Sequence, residues 1–328
     1  MLFQPLILLH KAGSLTALGH HITRWLAVLL LAQTALLSGG CAWLDTKQRN
    51  IIYRPTPGVP ADFAGLRAGD ERYFVSQLAI SDTSGLPTHQ ATGRAATTVT
   101  ASDATPQQVE LWWLPHADAA APTLLYYHGT FRNLYQNLHK INALRDAGFA
   151  VLAVDYRGWG RSSPIVPSEQ TILQDAQLAW DELKRKQPKA NLRVLYGHSM
   201  GSGVAVDMAS RLKAPNDYAA IILESAFTTF PDIAAEANIL GRLASSFNNE
   251  RFASIDKIAK VQAPLLMLHG TLDTTVPLVL GQKLLAAANA PKSLQTIEGG
   301  GHSDLHQVGA TIYENAVISF KNKYVLGR

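Results

Sequence analysis

Residues 192–213 read Leu-Arg-Val-Leu-Tyr-Gly-His-Ser-Met-Gly-Ser-Gly-Val-Ala-Val-Asp-Met-Ala-Ser-Arg-Leu-Lys, a β-rich run, the pentapeptide Gly197-His198-Ser199-Met200-Gly201, and a helix-forming run. A serine at a tight turn between a strand and a helix takes a strained backbone, and glycines on either side leave room where a Cβ would clash. Such a turn lifts Ser199 Oγ clear of a sheet and starts a helix at Met200, whose orphan N–H favours a developing oxyanion. The pentapeptide alone also fits a small-residue turn. What constrains the chain is its setting, with the strand before, the helix after, and further chemistry-bearing residues in the order Ser, Asp, His.

Asp273 is the expected acid. Pro264 to Gly270 is an apolar run that reads as a buried parallel strand, and Thr271 to Pro277 is the loop leaving its carboxyl end, where functional groups of open parallel sheets gather. A loop aspartate more often makes turn hydrogen bonds, and its spacing toward a later histidine favours the acid role here. That histidine is His302, after a short strand from Ser293 to Ile297 and three glycines, 299–301. In this reading His302 takes the Ser199 proton and returns it to the leaving group, while Asp273 orients the ring. His306 is the rival base, but it falls inside an expected final helix from Leu305 to Lys321, where a packed or surface role is commoner. Glu224, ending an expected strand Ala219 to Glu224, is the rival acid.

A second oxyanion donor is expected after the strand 122–127, where His128-Gly129-Thr130-Phe131-Arg132 follows. Gly129 permits a sharp turn, and the N–H of Thr130, with Phe131 as the alternative, would face that of Met200 across a substrate carbonyl. His128 is expected to hold this loop by hydrogen bonding.

With these residues in order, the chain resembles the α/β-hydrolase-fold serine hydrolases, of the small-cap kind similar to the BEM46 and ABHD13/ABHD17-like groups. The resemblance rests on His128-Gly129, on Asp155-Tyr156-Arg157-Gly158-Trp159-Gly160-Arg161-Ser162, on the pentapeptide at 197–201 and on Glu224 to Thr228. It extends through His269 to Pro277 and Gly301-His302, so that it spans residues 122–302. Thr130 stands where such proteins often carry Asn. The resemblance implies an α/β fold with a mostly parallel central sheet, flanking helices and a short cap insertion. It also implies a Ser199–Asp273–His302 triad, and it says little about substrate.

The rest of the chain fits that architecture. Strands are expected at Tyr73 to Ile80, Ala96 to Ala101 and Gln108 to Leu114 as an antiparallel start. Further strands near 122, 149, 192, 219, 264 and 293 then alternate with helices near 134, 169, 200, 278 and 304, which argues a parallel sheet covered on both faces. Leu173, Ala176, Trp180 and Leu183 keep helical spacing, which makes the tryptophan core rather than ligand platform. Residues 226–262 exceed a minimal crossover, and their apolar positions Phe227, Phe230, Ile233, Ile239, Leu240, Leu243 and Phe247 suit a small cap or an ordinary packing helix with a loop.

The amino-terminal region carries a second expectation. Arg24-Trp25 precedes an apolar stretch, Leu26 to Leu37, then Ser38-Gly39-Gly40 and Cys41. This resembles a bacterial lipoprotein signal over residues 1–40, with Cys41 as the lipidated residue, 41–70 as an extended tether and 71–328 as the catalytic domain. An uncleaved membrane anchor is the alternative, though the stretch is short for about 20 apolar residues. Either places the body at a membrane surface in a bacterial cell envelope. Cys41 is the sole cysteine, so the chain forms no internal disulfide.

Net charge is +4, of which Lys11 and Arg24 contribute two in a stretch without acids, leaving a nearly neutral body with no patch for nucleic acid. Lys184-Arg185-Lys186 ends a helix, where cations suit the dipole. Gly158-Trp159-Gly160 after a strand raises nucleotide-dependent oxidoreduction, but position 163 is Ser where a third glycine is needed. No cofactor or metal is expected, and the partner is a small acyl substrate of a monomer. A serine peptidase or amidase of the same fold and a non-catalytic surface-binding protein are the other readings.

Overall fold

The computed structural model describes residues 43–77, 106–237 and 250–327. Residues 1–48 form one unit, of which 43–48 are described and helical. The signal segment, Cys41, the expected strand Ala96 to Ala101 and the apolar positions Ile239, Leu240, Leu243 and Phe247 lie outside the described residues. No helix among the described residues is long and apolar enough to cross a membrane.

Residues 49–328 form the other unit, in which the described residues build one sheet of eight strands. Its strands are β1 (Glu71–Gln77), β2 (Gln107–Leu114), β3 (Thr123–Tyr127), β4 (Ala150–Asp155), β5 (Arg193–His198), β6 (Ala220–Glu224), β7 (Leu265–Gly270) and β8 (Lys292–Ile297). They lie in the order β1-β2-β4-β3-β5-β6-β7-β8. β1 and β2 pair antiparallel, β2 meets β4 antiparallel, and every pair from there on is parallel. β3 to β7 are buried along their whole length, which is why they read as unbroken apolar runs rather than alternating ones.

Besides the helical residues 43–53, the described residues include the helices α1 (Leu134–Asp146), α2 (Glu169–Lys186), α3 (Met200–Arg211), α4 (Phe230–Ala237), α5 (Leu278–Ala287), α6 (Leu305–Val308) and α7 (Ala310–Lys321). α2, α3 and α5 send Ile172, Ala176, Val204 and Leu280 into one core layer, and α1 and α7 send Ile141, Leu144, Val317 and Phe320 into the other. Two helix starts carry reciprocal caps, Asn133 with Gln136 and Ser168 with Thr171, each satisfying orphan N–H groups. Lys184, Arg185 and Lys186 occupy the last turn of α2 as expected, where Lys184 and Arg185 pair with Asp181 and Glu182 one turn back and Lys186 reaches Glu71.

Two expectations need correction. The final helix is not continuous from Leu305 to Lys321. Gly309 leaves helical backbone angles and separates α6 from α7, and its lack of a side chain lets the break pack against Ile297, whose side chain a Cβ there would meet at 2.4 Å.

Nor is 49–70 an extended tether. Tyr53 is fully buried and contacts the rings of Trp159, Phe230 and Phe252. Pro57 bridges to Gly160, and Asp70 binds Arg145 at 2.7 Å. The prolines at 55, 57 and 60 suggest an unpaired extended chain, but tertiary partners take up its backbone groups: Gly160 N–H donates to Thr56 O, and Asn133 Nδ2 donates to Thr56 O and Gly58 O.

Candidate active site

The register brings the chemistry to one edge. Tyr127 pairs with Gly197, His198 with Glu224, and Gly270 with Ile297. Hence the loops that begin at 128, 199, 225, 271 and 298 leave the same carboxyl end of the sheet.

Ser199 is the turn between β5 and α3, with φ 54° and ψ −123°. This backbone is costly for a residue with a side chain and persists only where its surroundings enforce it. Those surroundings are close: a Cβ on Gly197 would lie 2.1 Å from Gly201 O, and one on Gly201 2.0 Å from Tyr127 O. Any other residue at either position would push the turn apart.

Ser199, Asp273 and His302 come together. His302 Nε2 lies 2.9 Å from Ser199 Oγ, and His302 Nδ1 lies 2.9 Å and 3.1 Å from the two carboxylate oxygens of Asp273. Asp273 Oδ1 also accepts the N–H groups of Thr275 and Val276 at 3.0 and 2.8 Å. Burial alone would raise the carboxyl's pKa, but the hydrogen bond and charge of His302, with the Val276 N–H, outweigh it and hold Asp273 below the usual range. An ionised Asp273 fixes the proton of His302 on Nδ1 and leaves Nε2 free to accept from the serine hydroxyl.

Thr130 and Ser199 line one small pocket together with His302. Met200 is the first residue of α3, so its N–H has no acceptor within the helix. The N–H of Phe131 is taken by the carbonyl of Tyr53 at 3.3 Å. His128 does hold the loop, with Nδ1 2.6 Å from Gly129 O and Nε2 3.3 Å from Asp155.

Neither rival residue joins the site. His306 lies on α6, its ring 6.3 Å from that of Tyr313. The Glu224 carboxylate binds Lys140 Nζ, Tyr196 OH and, at 3.1 Å, Tyr313 OH. Burial pushes that carboxyl upward, yet the ammonium and the hydrogen bonds from Lys140 and Tyr196 bring it below its ordinary range. Gly158-Trp159-Gly160 forms a turn with positive φ at both glycines and serves as the dock for Thr56 and Pro57.

Two residues at the site carry no role in the sequence reading. His198 donates from Nε2 to the main-chain oxygen of His302 at 2.8 Å, and Ser225 Oγ donates to that oxygen at 3.3 Å. Both follow or end strands next to the serine. The position of His198 inside the pentapeptide was the available signal, but nothing local says which loop its ring would meet.

A serine aminopeptidase (S33) family profile matches residues 118–255. YfhR of Escherichia coli is 31% identical over 234 residues, 67% of this chain and 78% of its own length. Rv2307c of Mycobacterium tuberculosis is 29% identical over 306 residues, 91% of this chain and 96% of its own. The lysophosphatidylserine lipase ABHD12 of Danio rerio is 33% identical over 200 residues, 56% of this chain and 51% of its own, so the chain spans about half of that relative. Among solved structures, a Pyrococcus furiosus esterase superposes with TM-score 0.58 at 19% identity, covering 67% of this chain and 88% of that one.

Proposed function

The chain belongs to the α/β-hydrolase family, and from that premise we propose that it is a serine hydrolase cleaving a carboxylic ester or thioester through an acyl-enzyme on Ser199. The observation that carries this reading is the unbroken contact from Ser199 Oγ through His302 to Asp273. His302 Nε2 accepts the hydroxyl proton as Oγ attacks the substrate carbonyl, and Asp273 stabilises the imidazolium that forms. The N–H groups of Met200 and Thr130 bind the oxyanion. His302 then protonates the leaving alcohol or thiol, and water enters by the reverse sequence to release the acid.

Ser199→Ala lowers turnover of a short p-nitrophenyl ester by roughly 10⁴-fold or more while leaving the fold intact. A fluorophosphonate probe labels the parent chain and not the variant. Folded parent protein that takes no probe at Ser199 would instead favour a non-catalytic binding role.

The same acyl-transfer machinery acts on amides, and the aminopeptidase profile keeps a peptidase reading in view. Matched p-nitrophenyl esters and p-nitroanilides of one acyl group decide between them, with the esters expected to react faster.

For location, the reading is a monomer held at the membrane of a bacterial envelope through lipidated Cys41. Cys41→Ser is expected to move the protein from the membrane fraction to the soluble one. A variant that still sediments with membranes refutes the lipid anchor.

A further inference from the structure

The loop that carries His302 is glycine-rich, yet its imidazole must be placed to a fraction of an ångström against Ser199. Asp273 orients the ring, but it cannot by itself fix where the main chain of residue 302 sits. The structure supplies that restraint from β5 and from the residue following β6. His198 is 5% exposed, and its Nε2 lies 2.8 Å from His302 O. The acceptor is a carbonyl, so Nε2 carries the hydrogen and the ring is in one defined tautomer. Ser225, itself held at φ 50°, donates to the same oxygen from 3.3 Å.

His198 is itself packed beside a buried ion pair. Its Nε2 is 3.9 Å from Glu224 Oε1, the carboxylate bound to Lys140. Its Nδ1 has no hydrogen-bond partner among the described residues, and the absence of a side chain at Gly129 leaves the ring room, since a Cβ there would come within 3.4 Å of Nδ1. Burial, with the charge of Lys140 beside it, holds the imidazole neutral, its pKa well below the ordinary histidine range. The residue immediately before the candidate nucleophile therefore holds the loop of the base, and its ring centroid also lies 5.0 Å from that of His302.

We propose that His198 is a positioning residue, whose Nε2–H on the carbonyl of His302 sets the height of the catalytic imidazole over Ser199, with Ser225 as the second donor on that oxygen. The inference deepens the hydrolase reading and rests on it. His198 touches neither the scissile bond nor the transferring proton. Its contribution is geometric, and a misplacement of about 1 Å at such a site can lower the rate on the order of 100-fold.

The test compares His198→Asn with His198→Gln. Both are neutral and polar, but only the longer amide can carry a donor N–H to where Nε2 now stands. On a short acyl ester, His198→Asn is expected to lower kcat roughly 10- to 100-fold with KM nearly unchanged, and His198→Gln to recover most of the loss. Ser225→Ala should give a smaller loss of the same kind. Wild-type kcat in His198→Asn overturns the proposal, and so does a His198→Gln variant as slow as His198→Asn. An independent readout is the NMR resonance of the His302 Nδ1 proton held by Asp273, which is expected to shift or broaden in His198→Asn and to persist in His198→Gln. If the parent protein turns over no ester and takes no fluorophosphonate, the hydrolase reading fails; the proton resonance then still decides whether His198 holds the loop, and an unchanged resonance in His198→Asn refutes it.

Discussion

Lys140 Nζ is bonded to the carboxylate of Glu224, and the two side chains are only 2% and 0% exposed. The pair links α1 to β6, and the N–H of Ser199 donates to the main-chain oxygen of that same glutamate at 2.9 Å. Glu224 is thus spoken for as a structural anion, which is the physical reason it does not serve as the partner of His302.

Breaking a buried ion pair from one side leaves an uncompensated charge. Lys140→Met is therefore expected to destabilise the protein by about 3 to 5 kcal/mol, and adding Glu224→Gln to recover much of that cost. Urea unfolding of the single and double variants measures it. A Lys140→Met variant with the parent midpoint would show that the carboxylate finds another partner or a proton at no expense.

Asp273→Asn tests the orienting role without changing the shape of the site. The amide can present an N–H to His302 Nδ1, which stabilises the wrong tautomer. A drop in kcat of about 10⁴-fold on a short ester is expected.

The same substitution has a consequence for stability against pH. Asp273 is held below its ordinary pKa in the folded protein, so it binds fewer protons there than in the unfolded chain. Its contribution is fully present above the unfolded value of about 3.9 and is lost as pH falls through the lower, folded value. Between pH 5 and 2, the denaturation midpoint of Asp273→Asn should fall less steeply than that of the parent. Parallel curves would mean that Asp273 is not ionised against His302.

How much of this was legible in the sequence depended on whether the signal was local. The strand, turn and helix around Ser199 are written in adjacent residues, since the glycines at 197 and 201 answer contacts within the turn and with the neighbouring strand. Asp273 and His302 were readable because strand ends of a parallel sheet converge wherever the strands lie in sequence. Three features were not readable. Lys140 sits among polar residues of an amphipathic helix and looks solvated until β6 places Glu224 against it. The ring of His198 has no local partner at all. The prolines at 55, 57 and 60 signal a chain without regular structure, which is true, but they say nothing about whether that chain is docked.

Tyr53 shows how firmly it is docked. Its ring is fully buried among Trp159, Phe230 and Phe252, and its hydroxyl donates to Glu250. Its main-chain oxygen accepts from Phe131 in the oxyanion loop at 3.3 Å. Tyr53→Ala would leave a cavity the size of a phenol in a layer that also supports α4, and a large-to-small change of this kind costs about 3 to 5 kcal/mol. Tyr53→Phe keeps the packing and removes only the hydrogen bond to a largely buried carboxylate, a cost of about 1 to 3 kcal/mol. Because this residue supports the loop carrying Thr130, Tyr53→Ala should also lower kcat more than Tyr53→Phe, when both are compared at a temperature where each is fully folded. If segment 49–70 were a passive tether, both variants would unfold at the parent's urea midpoint and turn over substrate at the parent's rate.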